Sequence, residues 1–241
     1  MLIEVRRAFY LNARMCSTLI KLLAIRLGYQ PKNFWPGTRK TIAKSLVMIE
    51  MRIECRPMNP QSELVLVKVF FALWPAAVER GSLAAWQKPL QHLCGGRAMR
   101  GENLHNTLVF IGHVEQSRLE ALQLAAQEVS AEDFELCFDG AHYWGHNHIV
   151  YAAPSHVPQH LVQLVTALEQ RLTTHRFKFD QREYKPHVTL LRNAHWTDAP
   201  LPAMQPVRWQ MQDFALVQSV QKDGLASYRV LARFPLLPHS G

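Results

Sequence analysis

Two stretches of this sequence carry the same short phrase: NLHNTLVF over residues 103–110 and KPHVTLL over residues 185–191. In each stretch His-x-Thr-Leu stands at the start of an apolar run, a pattern that predicts a β-strand. The two histidines lie 82 residues apart (187 − 105), which is a plausible length for half of a domain. We interpret the pair as a degenerate internal repeat that is visible only at this phrase.

Strand geometry divides the residues of each phrase between two faces, because residues two apart on a strand point to the same side. His105 therefore shares a face with Thr107, as His187 does with Thr189. The leucine that follows each threonine points the opposite way, towards a core. A fold that brings the two strands together would line one cleft with two imidazoles and two hydroxyls. The alternative is two unrelated strands that happen to begin with histidine.

A third His-x-Thr triplet, at residues 195–197, is a control for this interpretation. It is followed by Asp198, Ala199 and Pro200, which are typical of a loop rather than a strand. We therefore set it aside. The two retained phrases share a leucine in the fourth position, an apolar continuation and a turn-like lead-in.

Positive charge is concentrated at the N-terminus of the chain. The net charge is +8, but residues 1–60 hold 11 Lys and Arg against 3 Asp and Glu, whereas residues 61–241 hold 16 of each. The larger part therefore lacks the broad basic surface typical of nucleic-acid-binding proteins, and any polyanion must be gripped locally. We predict a basic extension over 1–60, poorly ordered or the product of too early a start codon, and a domain over 61–241. A targeting or RNA-contacting arm is the alternative.

Cysteine usage and hydropathy indicate the cellular setting. The four cysteines are widely spaced and form no metal-binding pair, which is typical of free thiols in a reducing cytoplasm. No apolar stretch approaches the ~20 residues that cross a membrane. Neither GxGxxG nor a P-loop phrase occurs, so nucleotide-binding α/β folds are unsupported. We expect a cytoplasmic protein with no membrane partner.

The order of the predicted elements indicates an α+β domain. We predict strands near 64–73, 104–112, 133–139, 147–152 and 187–192, helices near 76–93, 116–129 and 158–173, and a closing hairpin of strands 209–220 and 227–236. Strands and helices alternate without a strict βαβ period. Two halves, each with a sheet that carries one phrase, fit this order.

The sequence resembles the 2H phosphoesterase superfamily, and within it the RNA 2′,3′-cyclic phosphodiesterases that are also called 2′-5′ RNA ligases. The two His-x-Thr-apolar phrases at this spacing carry the resemblance. Further support comes from VFFAL at 69–73, from Gly112 and Arg192 after the phrases, and from Phe214, Leu216, Ser219 and Tyr228 in the closing strands. The resemblance covers about residues 64–236 and leaves the first part of the chain unmatched.

The resemblance implies a bilobal fold of two pseudo-symmetric lobes, each with an antiparallel sheet and helices, around an active cleft that uses neither a metal nor a cofactor. It implies hydrolysis of RNA ends that carry a 2′,3′-cyclic phosphate, leaving a 2′-phosphate, with ATP-independent 2′-5′ ligation as an associated activity. We expect a monomer. Two alternatives stay open: a small cyclic nucleotide or sugar phosphate as the substrate, and a protein that binds RNA ends without turnover.

The chemistry explains why two histidines and two threonines suit this reaction. Opening a cyclic phosphodiester needs a base to activate water and an acid to protonate the leaving oxygen, and histidine serves both because its unperturbed pKa is ~6.5. Thr107 and Thr189 can donate hydrogen bonds to the non-bridging oxygens as charge builds. The residues alone leave the order of the histidines open. The resemblance implies His105 as proton donor to the leaving 3′-oxygen and His187 as acceptor of a proton from water.

Several other residues are candidates for binding the substrate. Arg192 is a candidate phosphate contact, although strand alternation places it on the face opposite His187 if the strand is regular. Tyr143, or its neighbour Trp144, is a candidate for stacking on a base, and so is Tyr184. Each of these aromatic residues is alternatively part of the core.

A cluster of His142, His146 and His148 allows a metal-binding interpretation, since the last two could share a strand face. No carboxylate or further ligand stands at a useful spacing. We therefore favour a surface strand beside the cleft over a metal site.

Asn106 departs from the family pattern, in which the residue between His and Thr is usually apolar. Its side chain is expected on the core side of the strand. An unpaired amide there costs roughly 1–3 kcal/mol, so we expect Asn106 either to have a polar partner or to lie at a wetter strand edge.

Overall fold

The computed structural model describes residues 65–195, 197–222 and 225–238, and the elements below are numbered within these ranges. The predicted basic extension over 1–60 lies outside the described residues. Among the helices that are described, none is long and apolar enough to span a membrane.

Strands dominate the described part of the chain. They are β1 (Leu66–Leu73), β2 (Arg97–Ala98), β3 (Asn106–Glu115), β4 (Phe134–Phe138), β5 (Gly140–Trp144), β6 (Ile149–Ala153), β7 (Val188–Arg192), β8 (Val207–Met211), β9 (Asp213–Lys222) and β10 (Leu225–Pro235). The helices are α1 (Ala77–Ala84), α2 (Gln87–Cys94), α3 (Leu119–Gln127) and α4 (Gln159–Thr174). The strands predicted for the two phrases are β3 and β7, and each begins one residue after its histidine.

Most strands belong to one antiparallel sheet, in the order β10-β9-β1-β3-β7-β6-β5, with the short β2 paired to β7. The remaining two strands, β4 and β8, form a separate two-stranded sheet. The strands that carry the phrases are neighbours at the centre of the large sheet, and one half of the sheet extends outward from each. This confirms the predicted α+β fold of two antiparallel halves, which here are joined in one continuous sheet.

The main core lies between the helices and the strands. β1 contributes every second residue to it, with Val69 and Phe71 fully buried. The longest helix, α4, buries Leu161, Leu164 and Leu168, which recur at helical spacing. The opposite face of β1 carries a second, smaller cluster of buried residues that consists of Phe70, Ala72, Trp74, Ala215 and Val217.

The structure differs from the predicted helices and strands in four places. The helix expected over 76–93 is divided into α1 and α2, and the break accompanies burial of Trp86, whose indole donates to the Gln205 carbonyl at 3.1 Å. Residues 140–144 form the additional strand β5. The strand expected over 209–220 is interrupted at Gln212. The part before Gln212 is in β8, which pairs with β4 in the small sheet, and the part after it is in β9, which belongs to the large sheet. Gly112 does not end β3, because it takes a φ of +84° that glycine adopts at little cost and the strand continues.

Both phrases contain the same β-bulge. The pairing of β3 with β1 skips Leu108, and the pairing of β7 with β6 skips Leu190. Each skipped leucine directly follows the threonine of its phrase, so the internal repeat includes the bulge. An extra residue in a strand shifts the alternation of faces by one. Phe110 and Arg192, three positions beyond the threonines, therefore face the same side as the threonines.

Candidate active site

The two phrases meet at the centre of the sheet. β3 and β7 pair through Asn106 and Val188, and both of these side chains are fully buried. Continuing this antiparallel register by one residue in each direction sets each histidine opposite the threonine of the other phrase. The two histidines and two threonines flank the buried pair, so they share the opposite face of the sheet. The arrangement has pseudo-two-fold symmetry about the pair of buried residues.

The imidazoles of both phrases are held in the same way. His105 Nδ1 lies 2.6 Å from the Asn103 carbonyl oxygen, and His187 Nδ1 lies 2.7 Å from the Lys185 carbonyl oxygen. A carbonyl oxygen only accepts, so Nδ1 carries the hydrogen in both rings. Nε2 of each neutral ring is therefore free to accept a proton, and Nε2 of each charged ring is able to donate one.

Aromatic rings enclose His105. Phe70 and Trp74 are stacked with its imidazole at centroid distances of 5.0 Å each, and Tyr228 meets it edgewise at 5.0 Å. Burial lowers the pKa of His105 to about 4. The hydrogen bond to the Asn103 carbonyl opposes this effect, and the charges of His187 and Arg192 add to it. His105 is therefore neutral at pH 7 when the cleft holds no anion.

His187 has a different set of neighbours. Trp144 and Tyr151 meet its ring edgewise, at centroid distances of 4.5 and 5.8 Å. Burial lowers the pKa of His187 below its usual value, and the charge of Arg192 acts in the same direction. The hydrogen bond to the Lys185 carbonyl opposes these two effects. The two copies of one phrase thus present chemically distinct histidines.

A cleft of about 250 Å³ lies over the shared face. It is lined by the histidine and threonine of each phrase. The other lining residues are Lys68, Phe70, Met99, Asn103, Phe110, Arg192, Ser219 and Tyr228. Thr107 Oγ1 lies 3.2 Å from His105 Nε2, so a hydroxyl and an imidazole converge on one point in the cleft. A wider groove of about 620 Å³ continues from the cleft past Trp144, Tyr184 and Lys185.

Arg192 lies with the histidines because the strand is irregular. A regular strand would put it on the opposite face, whereas the bulge at Leu190 returns its side chain to the cleft. Its charge lowers the pKa of both imidazoles, which requires proximity to both. A guanidinium beside two imidazoles and two hydroxyls is suited to holding a phosphate.

Tyr184 has a specific partner. Its hydroxyl donates to Asn106 Oδ1 at 3.3 Å, which provides the polar partner that the buried asparagine needs. Burial raises the pKa of this tyrosine, so the phenol stays protonated. Its side chain also lines the wider groove beside His187.

The structure does not bring Tyr143 together with the two histidines. Its hydroxyl lies 2.9 Å from His148 Nδ1 and donates to the Ala194 carbonyl at 3.3 Å, and its ring packs against the main core. Tyr143 and Trp144 are adjacent on β5, so strand alternation turns them to opposite sides. Trp144 is the residue of this pair that lines the groove and contacts His187.

The histidine cluster does not form a metal site in the described part of the chain. His142 is on β5 and stacks with Tyr151, whereas His146 and His148 lie in the turn between β5 and β6. His148 takes a φ of +53° in this turn, so the two histidines do not share a strand face, as the metal-binding alternative required. Among the described residues, no group of three or more His, Cys, Asp or Glu side chains is arranged to hold a metal ion.

The sequence reasoning missed some residues that line the cleft. Phe70 and Trp74 enclose His105, and Lys68 lies on the same strand, two residues before Phe70. Alternation along β1, continued one residue past its end to Trp74, could have identified these three residues as one face, because Val67, Val69 and Phe71 form the other.

Comparison with known proteins identifies the family to which the chain is similar. Residues 74–229 match a family described as the 2′-5′ RNA ligase superfamily, which agrees with the resemblance found in the sequence. An RNA 2′,3′-cyclic phosphodiesterase of Escherichia coli K12 is 28% identical over 169 residues, which are 70% of this chain and 96% of that protein. The crystal structure of E. coli LigT in apo form aligns with a TM-score of 0.64 at 28% identity, covering 71% of this chain and 98% of that one. The structure of LigT with 3′-AMP also gives 0.64, at 27% identity, and covers 71% and 99%.

Proposed function

The chain belongs to the 2′-5′ RNA ligase superfamily, and from this membership we propose that it hydrolyses 2′,3′-cyclic phosphates at RNA ends to 2′-phosphates. The observation that carries the proposal is the pair of imidazoles on one face of the central strands, each across from a threonine hydroxyl. The name of the similar E. coli protein gives the substrate. The RNA end is therefore the proposed partner, and the chemistry needs only side chains of this protein.

In the proposed reaction, His187 Nε2 accepts a proton from the water whose oxygen attacks phosphorus. The bond between phosphorus and the 3′-oxygen breaks, and His105 Nε2 donates a proton to that oxygen, so the phosphate stays on the 2′-oxygen. Thr107 and Thr189 donate hydrogen bonds to the non-bridging oxygens, whose charge increases during attack. Arg192 holds the same anion electrostatically.

The proton on His105 needs an explanation, because burial lowers its pKa to about 4. A phosphodiester anion beside the ring favours the charged imidazolium. The stacked rings of Phe70 and Trp74 favour it too, since a cation over an aromatic face gains about 0.5–2 kcal/mol. We therefore propose that binding of the anionic substrate protonates His105, so the acid is charged only when the substrate is in place.

The same cleft would join RNA ends when a 5′-hydroxyl replaces water as the nucleophile. His187 then takes the proton from that hydroxyl, His105 again protonates the 3′-oxygen, and a 2′-5′ phosphodiester forms. The histidines exchange roles when this bond is broken again. Joining requires no ATP, because opening the strained cyclic phosphate supplies the driving force.

The test is turnover of a short RNA that ends in a 2′,3′-cyclic phosphate, with EDTA present. We expect the wild type to produce a 2′-phosphate, and His105→Ala and His187→Ala each to lower kcat by about 10²–10⁴-fold, the usual effect of removing a general acid or base. His195→Ala is the matched control, because His195 is exposed and belongs to the triplet that follows β7. A 3′-phosphate product, or full activity in either cleft variant, would refute the proposed roles.

A further inference from the structure

We propose that Lys68 binds the phosphodiester on the 5′ side of the terminal nucleotide, so that the cleft recognises an RNA chain rather than an isolated cyclic nucleotide. This inference rests on the proposed function. It concerns a residue outside both phrases, on a strand from a different part of the sequence. Lys68 and the phrases line the same cleft.

The cleft holds two cationic side chains, and they lie in different places. Arg192 is close enough to both imidazoles for its charge to affect their pKa values, which puts it where the cyclic phosphate reacts. Lys68 lies four residues before Ala72 on β1, and Ala72 is the register partner of Thr107. At about 3.3 Å per residue, the backbone of Lys68 is ~13 Å along the strand from that of Ala72, which lies beside Thr107. Lys68 therefore lies towards the outer end of the cleft.

Two hydroxyl groups accompany Lys68. It pairs across the strands with Ser219 on β9, and Ser219 pairs with Tyr228 on β10, so the three residues form one row on the cleft face. All three line the cleft. A lysine with a serine next to it in the row is a set of donors suited to phosphate oxygens, while the Tyr228 ring extends from this row to His105.

The charge of Lys68 is available to a ligand. Its Nζ lies 5.4 Å from the centroid of the Phe110 ring, which supports the extended side chain. Within the described residues, no carboxylate lines the 250 Å³ cleft. The neighbouring groove differs, because there Lys185 is paired with Glu183 and Arg182 with Asp180. Of these two neighbouring spaces, the cleft is thus the one whose cationic side chains have no carboxylate beside them among the described residues of its lining.

Counting charges on the substrate leads to the proposal. A terminal 2′,3′-cyclic phosphate carries one negative charge, and Arg192 with the two threonines already surrounds it. The next negative charge on an RNA strand is the phosphodiester one nucleotide away. A cyclic mononucleotide lacks this group, whereas every longer RNA end has it. Lys68 is therefore expected to set a preference for oligonucleotides.

The experiment compares two dinucleotides that both end in a 2′,3′-cyclic phosphate. One has a natural phosphodiester between its nucleotides, and the other has an uncharged methylphosphonate there. We expect the wild type to favour the charged linkage about tenfold in kcat/KM, the effect of one charge-assisted contact. We expect Lys68→Met, which keeps most of the aliphatic stem, to abolish this preference, and Lys68→Arg to retain it. Lys88→Met removes the same charge from the exposed surface of α2, and we expect this control variant to keep the preference for the charged linkage.

Salt dependence gives a second readout. For the wild type, the slope of log kcat/KM against log salt should be steeper by about 0.7 for the charged dinucleotide, as expected for one more phosphate contact on a single strand. Equal slopes, an equal loss on both substrates in Lys68→Met, or a preference unchanged by that substitution would overturn the inference while leaving the proposed function intact. If the wild type opens neither dinucleotide, the proposed function fails and the inference fails with it.

Discussion

Replacing Asn106 and Tyr184 together should stabilise the protein, whereas replacing Tyr184 alone should destabilise it. Asn106 is fully buried at the pair that joins the two halves of the sheet. Its Oδ1 accepts from the Tyr184 hydroxyl at 3.3 Å, while its Nδ2 is buried without a hydrogen-bond partner among the described residues. One asparagine thus has one satisfied and one unsatisfied end.

The magnitudes follow from counting polar groups. A buried group without a partner costs roughly 1–3 kcal/mol, and a neutral hydrogen bond contributes about 0.5–1.5 kcal/mol. Asn106→Val with Tyr184→Phe removes the unpaired Nδ2 together with both partners of the hydrogen bond, so we expect a net gain of about 1 kcal/mol. Valine also suits a central strand better than asparagine does. Tyr184→Phe alone leaves both ends of the amide unpaired, so we expect a loss of about 1–3 kcal/mol.

The assay is urea unfolding of the full chain for the wild type, both single variants and the double variant. Midpoints are compared at equal slope, because a changed slope would report a different denatured state. The single and double changes form a thermodynamic cycle, and contacting residues should deviate clearly from additivity. A double variant less stable than the wild type, or a Tyr184→Phe variant as stable as the wild type, would refute the reasoning.

Two further predictions concern the histidines. Because the folded-state pKa of His105 lies below its unfolded value, the unfolded chain binds the proton first, and stability should be lost as the pH falls from about 6.5 towards about 4. Urea midpoints at about pH 7 and pH 5 should show a smaller loss for His105→Phe than for the wild type, and an equal loss would contradict the assignment. Arg192→Met should raise the pKa of both cleft histidines, since the charge of Arg192 disfavours their protonation. An NMR titration of the imidazole protons measures this directly, and values that stay unchanged or fall would show that Arg192 does not act on the cleft.

The parts of the site that depend on strand alternation could be predicted from the sequence. Alternation along a strand is a local rule, so it correctly put Leu108 and Leu190 in the core and paired each histidine with its threonine. It failed at Arg192, because the bulge at Leu190 reverses the alternation. A bulge is defined by the register with the neighbouring strand, and a single segment of sequence does not contain that information.

Long-range pairing limited the prediction of the fold in the same way. Residues 207–211 alternate as a strand should, but nothing local indicates that this strand joins β4 in a separate sheet. Tyr143 and Trp144 are equally aromatic and adjacent, so sequence offered no basis for choosing which one faces the cleft. The choice depends on the register between β5 and β6, where Trp144 pairs with Ile149.

The order of the two histidines also depends on residues outside the repeat. The phrases themselves are almost symmetric, even to the bulge and the carbonyl that holds each Nδ1. The difference arises from Phe70 on β1 and Trp74 directly after it, which stack with His105, whereas His187 has only edgewise aromatic contacts among the described residues. Stacked faces favour an imidazolium over a neutral ring, so under the proposed mechanism His105 is the copy that holds a proton once the anionic substrate is bound. Under the proposed roles, a duplicated motif would gain an acid and a base without a change in its own residues, because aromatic faces lie against one copy and, within the described part of the chain, not against the other.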